Sequence, residues 1–153
     1  AVRAGGMTIA ISCDMIVAGD GSTFGYPEID VGLIPAIHFV QLPRLVGKHQ
    51  AFGPLFLGEP FDAATAHRMG LLSEVVPKGT ALERAREIAG KLATKSPIVM
   101  KIGRDAFMRA VDADFRRSVE NTAESFVVVA STEDCQEGLN AFVEKRTPNY
   151  KGR

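Results

Sequence analysis

A change in residue pattern near Pro77 constrains the fold of this chain more than any other feature. Up to that residue, short apolar segments alternate with glycine and proline, as in "TFGYPEIDVGLIP", a spacing too close for long helices. After it, apolar residues repeat at helical spacing, and Ser96-Pro97 is a typical helix start. We therefore expect an α/β core over residues 1–77 and an all-helical region over residues 78–153.

Local signals predict the individual elements. They are a helix in "MTIAISC", a strand ending at Gly19, strand and loop over 23–35, two helices over 36–57 broken between Pro43 and Gly47, a helix over 61–70 capped by Asp62, a strand over 71–77, and helices beginning near 80, 96, 112 and 132. The segment "SFVVVAS" is apolar on more than one face, which indicates burial from two sides and favours an oligomer.

Composition excludes several classes of function. Eighteen Lys and Arg balance eighteen Asp and Glu, which argues against nucleic acid as a partner. No apolar run approaches the roughly 20 residues that span a bilayer, so we expect no membrane span. Cys13 and Cys135 lack the spacing of a metal or disulfide site. We expect no metal, a cytoplasmic location and a buried Cys13 thiol.

Two adjacent glycines, Gly5 and Gly6, precede the first predicted helix. Glycines in the first turn of a helix leave backbone N–H groups unshielded at the positive end of the helix dipole. A ligand carbonyl can approach such an amide closely, which suits stabilisation of an oxyanion on an acyl group. The alternative is that the glycine pair makes only a tight turn needed for packing.

Glu28 is a carboxylate among apolar and aromatic neighbours in "FGYPEIDVGLIP". Partial burial is expected there, and a partly buried carboxylate can move protons in catalysis. Asp30 shares a face with Glu28 if the segment is extended, and it competes for any such role. The alternative for Glu28 is an ordinary solvated acid in a loop.

Taken in order along the chain, these features resemble the enoyl-CoA hydratase/isomerase, or crotonase, superfamily. The segment "AVRAGGMTIAISCDMIVAGDGSTFGYPEIDVGLIP" resembles the family's glycine-rich oxyanion loop, the helix and Cys-Asp after it, and its F-G-x-P-E-x-x-x-G-x-x-P motif. The segments "LPRLVGKHQA", "LGEPFDAATAHRMGLLSEVVP" and "EGLNAFVEKRTPNY" follow in the family's order and spacing. The match is to the C-terminal portion of the family, so we expect further sequence before Ala1. The resemblance implies an α/β, crotonase-like (ββα-spiral) core with a C-terminal helical trimerisation region.

The resemblance implies catalytic roles for two residues. Gly5 matches the glycine whose N–H forms half of the oxyanion hole for a CoA thioester carbonyl, and Glu28 matches a glutamate that acts as acid and base. The family's other hydratase glutamate is replaced by Thr8. Threonine can hydrogen-bond a water but cannot deprotonate it near neutral pH.

The resemblance also implies a set of substrate contacts. The segment "PAIHFVQLPR" is one residue shorter than the family's usual run beside the pocket and lacks its glycines, so we expect a different substrate shape. Phe142 and Lys145 match positions that reach the CoA of a neighbouring subunit. The competing interpretation is helix packing for Phe142 and a solvated cation for Lys145. The expected substrate-binding residues are Gly6, Thr8, Pro35, His38, Phe142 and Lys145. His49 and His67 are expected to be structural or exposed.

The implied function is that of an acyl-CoA enzyme in fatty acid metabolism, with CoA as part of the substrate and no separate cofactor. Hydration of a 2-enoyl-CoA and Δ3,Δ2 double-bond isomerisation both fit; family frequency favours the first, and the single glutamate favours the second. A thioester hydrolase or dehydratase of the same superfamily also fits, as does a non-catalytic crotonase-fold protein for acyl-CoA binding or assembly. The implied assembly is a homotrimer or a dimer of trimers.

Overall fold

A computed structural model of the chain describes residues 1–31, 33–113 and 127–153. These residues form two compact units, Ala1–Glu87 and Ile88–Arg153. The predicted roles of residues 1–77 as part of the α/β core and of residues 78–153 as a helical oligomerisation region stay predictions.

The first unit contains most of the predicted α/β pattern. Its elements are β1 (Val2–Arg3), α1 (Gly5–Ile11), β2 (Val17–Gly19), β3 (Thr23–Gly25), a 3₁₀ helix (Pro27–Val31), α2 (Ala36–Val46), α3 (Lys48–Phe56), β4 (Phe61–Asp62), α4 (Ala63–Arg68) and β5 (Glu74–Val76). Helix α5 (Ala81–Ala93) begins in this unit and ends in the next. The sequence did not predict the two-residue strands β1 and β4.

The regular elements described in the second unit are all helices. It contains the end of α5, α6 (Pro97–Asp112), a helical segment at 127–130 and α7 (Glu133–Glu144). The helix expected near 132 is confirmed as α7. Most of the helix expected over 112–130 lies outside the described residues, as does part of "SFVVVAS".

The strands of the first unit pair in two small sheets. β1 runs parallel to β3, with Arg3 opposite Gly25, and β4 joins β3 antiparallel, with Phe61 opposite Phe24. β2 and β5 form a separate parallel pair. The β1–β3 register matters for function because both strands end at the same edge, and each leads directly into a segment with a predicted catalytic residue.

The apolar core of the first unit lies between these strands and helices α1 to α4. Its buried side chains include Met7, Phe24, Tyr26, Leu42, Leu55, Ala63, Ala66, Leu71 and Leu72. Full burial of one leucine of this kind stabilises the fold by about 1.5–3 kcal/mol. The core thus fixes α1 and α2 relative to β3.

Helix ends follow the predicted signals with one difference. The Asp62 carboxylate accepts a hydrogen bond from the Thr65 amide at 2.7 Å and caps α4, and this bond holds the pKa of Asp62 below its ordinary value. The break between α2 and α3 occurs at Gly47, where φ is 85°. Pro43 does not end α2 but lies inside it.

Residues at the end of the chain are tied to α7. The buried Asp134 carboxylate accepts hydrogen bonds from the Ser96 hydroxyl at 2.5 Å, the Lys151 amide at 2.7 Å and the Gly152 amide at 3.0 Å. Ser96 also caps α6, with the Val99 amide donating to its hydroxyl at 3.3 Å. Among the helices in the described ranges, none has both the length and the apolar character needed to cross a membrane.

Candidate active site

Gly5 is the first residue of α1. The preceding Ala4 turns the chain from β1 into α1 with φ 47° and ψ −117°, a conformation uncommon for a residue with a side chain. The Ala4 carbonyl accepts hydrogen bonds from the amides of Met7 at 2.9 Å and Thr8 at 3.3 Å. Within the described ranges, no group accepts one from the Gly5 N–H. A Cβ added to Gly5 would meet no atom within 4 Å. An oxyanion donor needs an N–H without an acceptor inside the protein, and among the residues described the Gly5 amide meets that condition.

Strand register brings Gly5 and Glu28 to the same edge of the sheet. Arg3 and Gly25 are paired in parallel strands. Gly5 follows two residues after Arg3, and Glu28 follows three residues after Gly25. The two predicted catalytic residues, which are far apart in the sequence, therefore emerge at the same end of a strand pair.

Glu28 is half-buried in the 3₁₀ helix, as predicted. Its Oε2 atom is buried and has no hydrogen-bond partner among the residues the structure describes. Asp30 is exposed, and the condition under which it would share a face with Glu28, an extended segment, is not met. The physical reason is that the segment forms a helical turn, closed by a 2.9 Å bond from the Leu33 amide to the Glu28 carbonyl, and is not extended.

A hydrogen bond joins Thr8 on α1 to His38 on α2. The Thr8 Oγ1 and His38 Nε2 atoms lie 3.1 Å apart, although the residues are separated by 30 positions in the sequence. Only 2% of the His38 surface is exposed, and its ring packs on Tyr26 with the ring centroids 4.6 Å apart. Three elements of the fold thus contribute to one buried polar group.

Burial sets the protonation of the two rings. It lowers the pKa of His38, and the nearby Glu28 charge opposes this in part. Burial also raises the pKa of Tyr26, and the Glu28 charge raises it further. At neutral pH the imidazole and the phenol are therefore both uncharged, and Glu28 is close enough to influence both.

Several buried polar atoms around these residues lack partners within the described part of the chain. They are Tyr26 OH, Glu28 Oε2, His38 Nδ1 and Gln41 Oε1. An unpaired buried polar group costs about 1–3 kcal/mol, so proteins keep such groups where water or a ligand pairs with them.

The remaining predicted site residues lie in different places. Gly6 is exposed beside Gly5, and Pro35 is buried directly before α2. Lys145 is exposed in the second unit at φ 55°. The side chain of Phe142 lies outside what the structure describes.

The other histidine and cysteine expectations have mixed outcomes. His49 and His67 were expected to be either structural or exposed, and both are exposed on helices. Cys13 is exposed, so its expected burial is wrong. The reason is that α1 ends at Ile11, and Cys13 lies beyond the face of α1 that packs on the core.

Sequence reasoning did not assign a role to Tyr26 or Gln41. Tyr26 occupies the variable position of the F-G-x-P-E motif, directly between a buried strand and Glu28. Gln41 lies three residues after His38, so the two side chains share one face of α2. Spacing could have indicated Gln41, whereas the burial of the Tyr26 hydroxyl depends on tertiary packing.

Comparison with known proteins shows extensive similarity. The family described as "Enoyl-CoA hydratase/isomerase" matches residues 1–153. The chain is 37% identical over 149 residues to the 2,3-dehydroadipyl-CoA hydratase of Escherichia coli (strain K12), covering 97% of this chain and 58% of that protein. It is 33% identical over 147 residues to the crotonyl-CoA hydratase of Syntrophomonas wolfei, covering 95% and 56%.

Solved structures give the same result for the fold. The crystal structure of enoyl-CoA hydratase from Bacillus anthracis superposes with a TM-score of 0.95 at 33% identity, covering 99% of this chain and 59% of that one. Human enoyl-CoA hydratase domain-containing protein 3 superposes with a TM-score of 0.91 at 36% identity, covering 97% and 59%. The chain spans a little over half the length of each of these proteins.

Proposed function

Since this chain belongs to the enoyl-CoA hydratase/isomerase, or crotonase, family, we propose that it carries the acid–base part of an acyl-CoA active site. Its backbone amide at Gly5 donates a hydrogen bond to the thioester carbonyl of the substrate. Its Glu28 carboxylate moves a proton to or from the acyl chain. CoA enters as part of the substrate, and the chemistry needs no separate cofactor.

The observation that carries this proposal is the pairing of two complementary groups at one edge of the β1–β3 pair. Gly5 offers an N–H for which the described residues supply no acceptor, and Glu28 offers a buried oxygen that has no partner among them. A donor of this kind stabilises negative charge on the carbonyl oxygen as a proton leaves the adjacent carbon. A carboxylate nearby accepts that proton and returns it.

Two reactions use this arrangement. In isomerisation, Glu28 removes a proton from C2 of a 3-enoyl-CoA, the electron pair moves onto the thioester oxygen, and Glu28 returns the proton to C4 as the double bond forms between C2 and C3. In hydration, a water oxygen bonds to C3 of a 2-enoyl-CoA while C2 gains a proton. The single carboxylate suits the first reaction, and the hydratase names of the relatives favour the second.

Turnover by the full-length protein tests the proposal. Crotonyl-CoA and longer 2-enoyl-CoA thioesters would be assayed for hydration, and matching 3-enoyl-CoA thioesters for isomerisation. The proposal expects one or both reactions. Acyl-CoA binding without turnover would favour a non-catalytic role, and release of free CoA would favour a thioester hydrolase.

Exposed apolar side chains bear on the assembly of the protein. Apolar side chains exposed on this chain, including Val40, Phe52, Phe56 and Leu57, are suited to burial against other parts of an assembly. We propose a homotrimer or a dimer of trimers, with Lys145 and Phe142 reaching the CoA of a neighbouring subunit, and a cytoplasmic location. Light scattering of the purified full-length protein measures the number of subunits.

A further inference from the structure

The Thr8–His38 hydrogen bond gives the proposed site a second polar group beside Glu28. The two side chains come from α1 and α2 and meet at 3.1 Å between Thr8 Oγ1 and His38 Nε2. His38 is nearly fully buried, whereas Thr8 is half-buried. Thr8 is therefore the member of the pair that a small molecule can reach.

The direction of this bond depends on which ring nitrogen of the neutral His38 carries the proton. A threonine hydroxyl has one proton to donate, and its lone pairs can accept. When the proton is on Nδ1, the Thr8 hydroxyl donates to Nε2. The Thr8 lone pairs then remain available to accept a hydrogen bond from a ligand.

The surroundings indicate a site for water and not only a link between helices. Four polar side-chain atoms, Tyr26 OH, Glu28 Oε2, His38 Nδ1 and Gln41 Oε1, are buried without partners within the described ranges. Donors and acceptors in such a group are normally paired by ordered water or by substrate.

We infer, on the basis of the function proposed above, that Thr8 and His38 position the attacking water of an enoyl-CoA hydration. The Thr8 oxygen accepts a hydrogen bond from that water, and His38 is a positioning residue that holds the Thr8 hydroxyl proton away from it. The water oxygen bonds to C3 of the 2-enoyl-CoA, and its second proton passes to the Glu28 carboxylate. The C2=C3 electron pair moves towards the thioester oxygen at Gly5, and Glu28 then gives the proton to C2. Charge and atoms balance, and the enzyme returns to its starting state.

Protonation of His38 would reverse the bond. A cationic imidazole carries a proton on both nitrogens, so Nε2 donates to Thr8 and the hydroxyl proton turns towards the water. The water then accepts a hydrogen bond and becomes a poorer nucleophile. Among the described residues, the titratable groups that face His38 are Tyr26 and Glu28. Since burial keeps the imidazole neutral, hydration should slow only as the pH falls below the ordinary histidine range near 6.5.

Four variants of the full-length protein test the inference. Thr8→Val keeps the side-chain volume without the hydroxyl, and Thr8→Ser restores the hydroxyl. His38→Gln removes titration at the buried position, and His49→Gln makes the same change at an exposed histidine on α3. Hydration of crotonyl-CoA and isomerisation of a 3-enoyl-CoA are followed for each, with kcat and KM measured against pH and folding checked by thermal unfolding.

We expect Thr8→Val to lower kcat for hydration by about 10²-fold, the low end of acid–base effects, and to lower kcat for isomerisation less, because isomerisation uses no water. Thr8→Ser should recover most of the rate. His38→Gln should lower kcat and remove the part of its acid decline that comes from the imidazole, leaving the part that comes from Glu28, while His49→Gln matches the wild type.

Each of the following results would overturn the inference. If Thr8→Val hydrates at the wild-type rate, or if Thr8→Ser is as slow as Thr8→Val, the Thr8 hydroxyl does not position the water. An unchanged acid decline in His38→Gln would remove His38 from that role. A wild-type protein that isomerises without hydrating refutes the inference alone, whereas one that turns over neither substrate refutes the proposed function as well.

Discussion

Replacement of Gly5 by alanine separates a structural role of this glycine from a chemical one. Gly5 is the first residue of α1, and an added Cβ would meet no atom within 4 Å. The fold therefore accommodates the methyl group. Alanine loses less conformational entropy on folding than glycine does, so a Gly→Ala substitution inside a helix stabilises the fold by about 0.5–1 kcal/mol. Because Gly5 lies at a helix end, its gain is at the low end of that range. Stability should be unchanged or slightly raised.

Activity should respond in the opposite direction. The new methyl group stands beside the amide, in the space that the thioester oxygen occupies in the proposed complex. Loss of one oxyanion donor costs about 3–4 kcal/mol of transition-state stabilisation. Since about 1.4 kcal/mol corresponds to a tenfold change in rate, kcat/KM should fall by about 10²–10³-fold.

Gly103→Ala provides the matched control. Gly103 lies inside α6 in the second unit, and its added Cβ also meets no atom within 4 Å. This variant should gain stability without losing activity. Thermal unfolding and steady-state turnover of both variants make the comparison. Wild-type activity in Gly5→Ala would refute the position assigned to the thioester, and failure of Gly5→Ala to fold would refute the open space described at Gly5.

Two further predictions concern stability. Gly58 has φ 69°, and a Cβ added there would lie 2.7 Å from Asp30 Oδ1, whereas Gly70 has φ 82° and a Cβ added there would meet nothing within 4 Å. Alanine at either position incurs about 1–2 kcal/mol of backbone strain. Gly58→Ala should unfold at the lower temperature of the two because Asp30 must also move. Equal unfolding temperatures would contradict the described contact. The Arg146 guanidinium and a backbone amide lower the pKa of Glu137 from 4.5 to about 2. Because the folded state favours the ionised carboxylate, Glu137 contributes its full stabilisation of the fold above pH 4.5 and loses it as the pH falls towards 2. Glu137→Gln should therefore flatten the pH dependence of the free energy of unfolding between those values. An identical pH profile in the variant would show that this ion pair does not stabilise the fold.

Elements marked by local chemistry could be predicted from the sequence. Asp62 caps α4, Ser96 and Pro97 begin α6, and Gly47 separates α2 from α3, in each case through contacts within a few residues. Glycine pairs and an acid in an apolar segment could likewise indicate Gly5 and Glu28. These signals need no knowledge of tertiary structure.

Contacts between distant elements could not be predicted in the same way. The bond from Thr8 to His38 depends on how α1 and α2 pack, and the pairing of Tyr26 with His38 depends on the path of the chain after β3. The exposure of Cys13 depends on α1 ending two residues earlier. Each outcome is set by packing of the whole unit and leaves no local mark in the sequence.

The proton transfer assigned to Glu28 is the central claim, and a single substitution tests it. Glu28→Gln keeps the size and the hydrogen-bonding capacity of the side chain but cannot carry the proton, and Asp30→Asn is its control at an exposed carboxylate two residues away. The measurement is kcat of the full-length protein on crotonyl-CoA and a 3-enoyl-CoA. We predict a loss of about 10²–10⁴-fold for Glu28→Gln, with unchanged unfolding temperature and acyl-CoA binding, and little change for Asp30→Asn. Turnover by Glu28→Gln at the wild-type rate would contradict the account.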